Sequence, residues 1–159
     1  KAVTYIRQEL WEKLCQICNA SAWSASTLPG NPELTFNEGA VLRAGAEHYV
    51  TLGYEILSVY TRMGYTPQNF YAPLSRLKEV HEAKSFDDAC DGIMTMAQQL
   101  QAKGIRSRTS MHDDVLHHRK SEAPWILKPI IEKAHEFGLQ VPTLVAADRI
   151  LSVLDTYAK

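Results

Sequence analysis

The sequence lacks the features that announce the commoner function classes. It has no excess of one charge: 17 Lys and Arg against 18 Asp and Glu give a net charge of −1 over 159 residues. No basic run offers the electrostatic footprint that nucleic-acid backbones or anionic membrane surfaces attract. Neither nucleic acid nor a membrane is therefore an expected partner. No apolar run reaches the roughly 20 residues needed to span a bilayer, and the opening KAVTYIRQELWEK does not read as a secretory leader. Cysteine is scarce and odd in number: Cys15, Cys18 and Cys90 cannot form a fully paired disulfide framework. That fits a reducing compartment, so a cytoplasmic location is expected. The C-x-x-C of Cys15 and Cys18 has no second pair for zinc and no preceding strand for a thioredoxin-type site, which leaves ordinary helical thiols as its reading. The eight glycines nowhere form G-x-G-x-x-G, so the chain lacks that device for a dinucleotide.

Strand patterns are missing as well. No period-two apolar run is flanked by turns, and what is present is helical spacing, in a chain whose length and 45% hydrophobic content suit one domain over residues 1–159. Val3, Ile6, Leu10, Leu14, Ile17 and Cys18 form a stripe on an opening helix that runs to about Ala22, and this stripe is expected to face the core. A loop follows from Ser24 to Pro32. Thr35 and Glu38 read as a capping box that opens one long helix, carrying Val41 to Met63 and stopping at Gly64. A Pro-containing stretch, Tyr65 to Pro73, precedes a short helix around Leu74, Leu77 and Val80. Ser85 and Asp88 cap a further helix that closes at Gly104. A polar helix spans about Thr109 to Arg119. Pro124 opens a helix that ends at Gly138, with Pro129 either kinking it or marking its true first turn. The last helix starts near Pro142 and Thr143 and carries Leu144, Val145, Ile150, Leu151, Val153 and Leu154. The expected fold is all-α, with six or seven helices.

Two segments carry residues suited to chemistry. At ~100° per residue, Lys13 falls about 20° from Ile6 and about 40° from Ile17, at the border of the apolar stripe. It is either a half-buried rim lysine whose ammonium reaches water, or a cleft lysine that donates a proton or holds an anion. Arg7 projects onto the same stripe. The second segment is Ser110-Met111-His112-Asp113-Asp114-Val115, followed by Arg119 and Glu122. Its charges alone are explained by a surface helix that complements its own dipole.

Together these residues resemble a known family. Ser110-Met111, Asp114-Val115, Arg119-x-x-Glu122 and a helix ending at Gly138 before Pro142-Thr143 are similar to the carboxy-terminal signature of ketopantoate reductases (2-dehydropantoate 2-reductases). Trp11-x-Lys13-Leu14 is similar to the start of the same domain. The resemblance implies a helical domain of the kind found at the carboxy terminus of 6-phosphogluconate dehydrogenase. It also implies a preceding Rossmann domain that binds NADPH, absent from this chain, with the active site in the cleft between the two domains. The Met-less, helical start at Lys1 agrees with the trailing part of a longer polypeptide. The implied activity is reduction of a 2-oxo acid, 2-dehydropantoate or a relative, in pantothenate biosynthesis, by a cytoplasmic enzyme that can form a homodimer. The implied catalytic residues are Lys13 and Glu122, with Ser110 on the substrate carboxylate and no metal. The family usually has asparagines four and eight residues after the lysine. Here those substrate-binding positions hold Ile17 and Ser21, which implies an altered pocket.

Two other classes compete with this reading. His112-Asp113, with His48, His81 and Asp148 elsewhere, mimics a metal-dependent phosphohydrolase of the HD type, although His117 and His118 are adjacent and cannot both face one metal. A non-catalytic helical interaction domain would use Trp23, Trp125, Tyr49, Tyr54 and Tyr60 as core or interface.

Overall fold

Two long helices supply the scaffold on which the rest is hung. They are α1 (Ile6–Thr27) and α3 (Arg43–Arg62), about 33 and 30 Å long at ~1.5 Å per residue. In the computed structural model, which describes residues 5–71 and 76–159, they pack against each other. The remaining helices are α2 (Phe36–Ala40), α4 (Leu77–Glu82), α5 (Phe86–Ala102), α6 (Ser110–Leu116), α7 (Ala123–Ile126), α8 (Lys128–Glu136) and α9 (Pro142–Thr156). Helices α6, α7 and α9 lean on α1, while α4, α5, α8 and α9 lean on α3. Among the described residues there is no strand, and no helix is long and apolar enough to cross a membrane. Val3 and Leu74, both placed on helices by their spacing, lie outside the described residues.

The expected helix ends are largely observed, and for the expected reasons. Glu38 accepts the Thr35 backbone N–H at 2.8 Å and also its hydroxyl, and Ser85 Oγ accepts the Asp88 N–H at 3.0 Å. Gly64, Gly104 and Gly138 all have positive φ, and each closes its helix with the same paired backbone bonds, such as Ile105 N to Leu100 O at 3.0 Å and Gly104 N to Gln101 O at 2.9 Å. This left-handed closure favours a residue without Cβ. Helix α6 ends in the same way, but with His118 at φ 55 in the glycine position.

The number of helices exceeds the expected six or seven because two expected helices are each split. The long helix from Thr35 breaks at Val41–Leu42, where α2 turns back across the start of α3. The crossing is so close that a Cβ on Gly45 would lie 2.1 Å from the Gly39 carbonyl oxygen. The Trp23 indole donates to the Gly45 carbonyl at 2.8 Å, and its ring packs on Phe36 and Tyr49 at centroid distances of 5.2 and 5.9 Å. The second split falls at Leu127, and Pro129 sits in the first turn of α8. Helix α1 also runs five residues past Ala22, to Thr27, its last hydroxyls bonding back to the Ala22 and Trp23 carbonyls.

One expectation is overturned. Only one edge of the stripe on α1 faces the core: Cys18 is fully buried and Leu14 packs partly buried against the core, but Ile6 is 51% and Leu10 58% exposed, and Ile17 is only partly covered. The buried side carries Glu12, Cys15, Cys18, Asn19 and Ala22 instead. Small side chains there let α1 approach its neighbours closely, and close packing is worth more than the size of any one apolar group. The apolar residues of α9 divide similarly, with Leu144 and Leu151 buried and Ile150, Val153 and Leu154 exposed.

Candidate functional site

On the exposed side of α1, Leu10 and the partly exposed Ile17 flank Lys13. Lys13 is exposed, not half buried at a core rim, and its Nζ lies 5.6 Å from the centre of the Tyr71 ring. Tyr71 is held in turn by the residue beside the lysine. Glu12 is fully buried, yet its carboxylate accepts the Tyr60 hydroxyl at 3.0 Å, the Gln68 N–H at 2.9 Å and the Phe70 N–H at 3.0 Å. Three donors answer a charge that would otherwise be costly to bury. Burial and the neighbouring Glu12 push the Tyr60 phenol well above its ordinary range, so it stays a donor. Consecutive residues of one helix thus do different work: Glu12 pins the 66–70 loop, and Lys13 stands above the tyrosine which that loop delivers.

Ser110 begins α6 and Glu122 precedes α7, both helices packing on α1, and the start of α6 is held at Ser24, roughly 16 Å along α1 from Lys13. Ser110 is exposed at the first position of α6, and the Thr109 hydroxyl before it caps that helix by accepting the His112 N–H at 3.1 Å while bonding Ser24 Oγ at 2.8 Å. That second bond fixes the start of α6 against the end of α1. Glu122 is exposed just ahead of α7. The residue before it is clamped: Asp155 on α9 accepts both the Ser121 N–H and the Ser121 hydroxyl at 2.9 Å. Among the described residues, no ion pair forms to Lys13 or Glu122, and no side-chain hydrogen bond joins Lys13, Ser110 and Glu122 to one another. Ile17 is partly exposed one turn beyond Lys13, whereas Ser21 is 2% exposed and covered by the protein itself.

Sequence reasoning missed Glu12, Tyr71 and Asp155. The charge pattern gave no signal for any of them, because each acts through a partner more than thirty residues away. The buried cysteines behave as ordinary thiols: burial pushes both Cys15 and Cys18 far above the usual thiol range, the reverse of what a reactive pair needs. Among the described residues, no three His, Cys, Asp or Glu side chains gather as a metal site. His81 is exposed on α4 while His112 is buried in α6. Of the aromatic residues weighed as core or interface, Trp23, Tyr49 and Tyr60 are buried, and Trp125 is 79% exposed.

No curated protein sequence matches the chain. Among solved structures, a dimeric ketopantoate reductase from Staphylococcus aureus is similar with a TM-score of 0.61 and 21% identity, covering 98% of this chain and 45% of that one. The chain therefore spans less than half the length of that relative, and at this identity the likeness establishes the fold. The family model described as "Ketopantoate reductase PanE/ApbA C terminal" matches residues 5–155. With nearly the whole chain inside that match, and with its all-helical architecture shared with a member of known structure, the protein belongs to the family of ketopantoate reductase C-terminal domains.

Proposed function

We propose that this chain is the substrate-binding and proton-donating half of an NADPH-dependent reductase of 2-oxo acids, the other half being a Rossmann domain on the same polypeptide. One observation carries the reading. An exposed ammonium, Lys13, stands on the side of α1 that carries Ile6 and Leu10, both more than half exposed, and the partly exposed Ile17. Exposed apolar surface of this kind marks a face that another body covers, and a cation set into it becomes shielded from water once that body is in place.

In this reading the cradle for the dinucleotide belongs to the Rossmann domain, where a strand and a glycine-rich turn meet a helix N-terminus. When bound to the other domain, NADPH supplies a hydride to the carbonyl carbon. This chain handles the charge that results. Negative charge grows on the carbonyl oxygen, and the Lys13 ammonium offsets it and transfers a proton to that oxygen, leaving a neutral amine that is recharged from solvent. The Ser110 hydroxyl donates to the substrate carboxylate, and Glu122 keeps the lysine oriented. Ile17, in place of an amide, supplies apolar contact only, and Ser21 is covered, so the pocket pairs fewer substrate hydroxyls than an asparagine-lined one. A cytoplasmic setting and a place in pantothenate biosynthesis accompany this reading.

In the full-length protein, Lys13→Ala is expected to lower turnover of 2-oxo acids by about 10²- to 10⁴-fold, the usual worth of a positioned acid, while NADPH affinity stays within about twofold. Steady-state kinetics and a cofactor titration measure both, and unchanged turnover overturns the assignment. A homodimer is the second partner we propose. The exposed Ile150, Val153, Leu154 and Tyr157 lie at three- and four-residue spacing on or just beyond α9, as an intersubunit contact requires.

A further inference from the structure

The residues around Lys13 divide by what meets them. At ~100° per residue, Ile6, Leu10 and Ile17 fall about 20° to 60° to one side of the lysine, and Tyr5, Gln8, Glu9 and Glu12 about 40° to 140° to the other. The first group is exposed in whole or in part. The second group meets one loop. Tyr5, just ahead of α1, stacks on Phe70 with ring centroids 5.5 Å apart and planes 7° from parallel. The Gln8 amide donates to the Thr66 carbonyl at 2.9 Å, and buried Glu12 accepts the Gln68 and Phe70 N–H groups. The Tyr71 hydroxyl donates to the Glu9 carboxylate at 3.4 Å.

The same loop is held from a second helix. Asn69 adopts φ 54, a left-handed value that asparagine tolerates. Its side-chain oxygen accepts the Lys78 N–H at 3.2 Å, and its amide donates to Glu79 on α4 at 2.6 Å. Residues 66, 68 and 70 are thus tied to α1 and residue 69 to α4, which leaves the next ring, that of Tyr71, little freedom in where it stands. It stands against Lys13, with Nζ 5.6 Å from its centre. Burying a carboxylate is a costly way to fix a loop, and what this one delivers is an aromatic face beside the exposed lysine.

We propose that Tyr71 is a positioning residue for Lys13: its ring face anchors the ammonium at the edge of the uncovered apolar side of α1, and the loop keyed to Glu12 sets the ring. The proposal rests on the reductase reading for the use made of the ammonium, and on these contacts alone for the anchor. A lysine ammonium rides on a flexible four-carbon stem, and the ring attracts it as a cation. An ion pair would hold Nζ as well, but it would offset the charge that a developing oxyanion needs. A neutral ring holds the cation and leaves that charge available, and small displacements of such a group cost rate.

The test uses the full-length protein with NADPH and a panel of 2-oxo acids, the best-reduced acid being carried into the variants. Tyr71→Leu keeps apolar bulk without a ring and should lower kcat about tenfold, inside the roughly 2- to 30-fold that a cation–π contact is worth, with KM within about twofold. Tyr71→Phe keeps the ring, gives up only the bond to Glu9, and should recover most of that loss. In the Lys13→Ala background Tyr71→Leu should cost nothing further, because an anchor acts only through the group it holds. Where circular dichroism shows that Tyr71→Leu does not fold, phenylalanine and pentafluorophenylalanine incorporated at position 71 make the comparison at constant shape. The fluorinated ring, with its electrostatics reversed, should then be the slower. Equal kcat with and without an electron-rich ring, a loss confined to KM, or a further loss in the Lys13→Ala background overturns the proposal. Absence of turnover with every acid overturns the reductase reading instead. The contact is then decided by NMR spectra of the lysine-labelled protein. A Lys13 ε-methylene signal that the ring shifts upfield, and that a ring-free variant returns, sustains the anchor, and an unshifted signal removes it.

Discussion

The side of α1 turned into the domain carries Cys15, Cys18 and Ala22 with Glu12 and Asn19, all fully buried, while the opposite side carries Ile6 and Leu10, both more than half exposed. By hydropathy the two sides are the wrong way round. Small residues let α1 and α3 come close, and the buried acid is matched by three donors, so the inner side is specified by fit and hydrogen bonding. The outer side is specified by what remains uncovered, and Lys13 lies in it. If the proposed reading holds, this exposed apolar stripe is the face that a second domain covers.

Substitutions on the two sides should therefore behave differently. The largest effect is expected for Glu12→Ala, which strands the Tyr60 hydroxyl and the Gln68 and Phe70 N–H groups. Chemical denaturation should show a loss of roughly 3 kcal/mol or more, and a loss below about 1 kcal/mol would place the loop's support elsewhere. The same contrast extends to Glu55, whose two carboxylate oxygens accept the Thr143 and Leu144 N–H groups at 2.9 Å and so cap α9 from a distance. Glu55→Ala should cost about 1–2 kcal/mol and reduce helical signal.

His112 tests burial by pH. Burial first, and then the nearby Arg108, lower its pKa against the opposing pull of Asp113, and burial does the same to His48 against the pull of Glu55. An unfolded imidazole takes up its proton near pH 6.5 and the folded ones do so only at lower pH. Stability is thus complete above that value and falls as the pH drops below it. His112→Leu should flatten the fall in melting temperature between pH 7 and 5 without abolishing it, since His48 remains. An unchanged slope would remove His112 from the account. The smallest effect is expected for Leu10→Ser: under about 0.5 kcal/mol in the 159-residue chain, and more in the full-length protein, where we propose that the stripe is covered. Equal losses in both would mean that nothing covers it.

The helix boundaries were legible because their signals are local. A capping box at Thr35, serine at 85 and glycines at 64, 104 and 138 act through residues a few positions away, and each does in the structure what its spacing predicts. The break at Val41–Leu42 was not, because it depends on Gly39 meeting Gly45 under Trp23, a contact that no periodicity encodes. The inner side of α1 was misread for a related reason: a wheel ranks faces by hydropathy, and Glu12 is buried only because residues 60, 68 and 70 come to it. The residues proposed for the site, Lys13, Ser110 and Glu122, are singled out in the sequence by family resemblance rather than by helical periodicity. Its supports, Tyr71 and Asp155, carry no mark in the sequence.

The grip of Asp155 on Ser121 ties the end of α9 to the peptide that bears Glu122. The closing turn of the last helix is in effect a latch on an acid more than thirty positions upstream. A tag, a partner or a proteolytic nick that loosens Asp155 would release the Ser121 backbone N–H and hydroxyl, and with them the peptide next to Glu122.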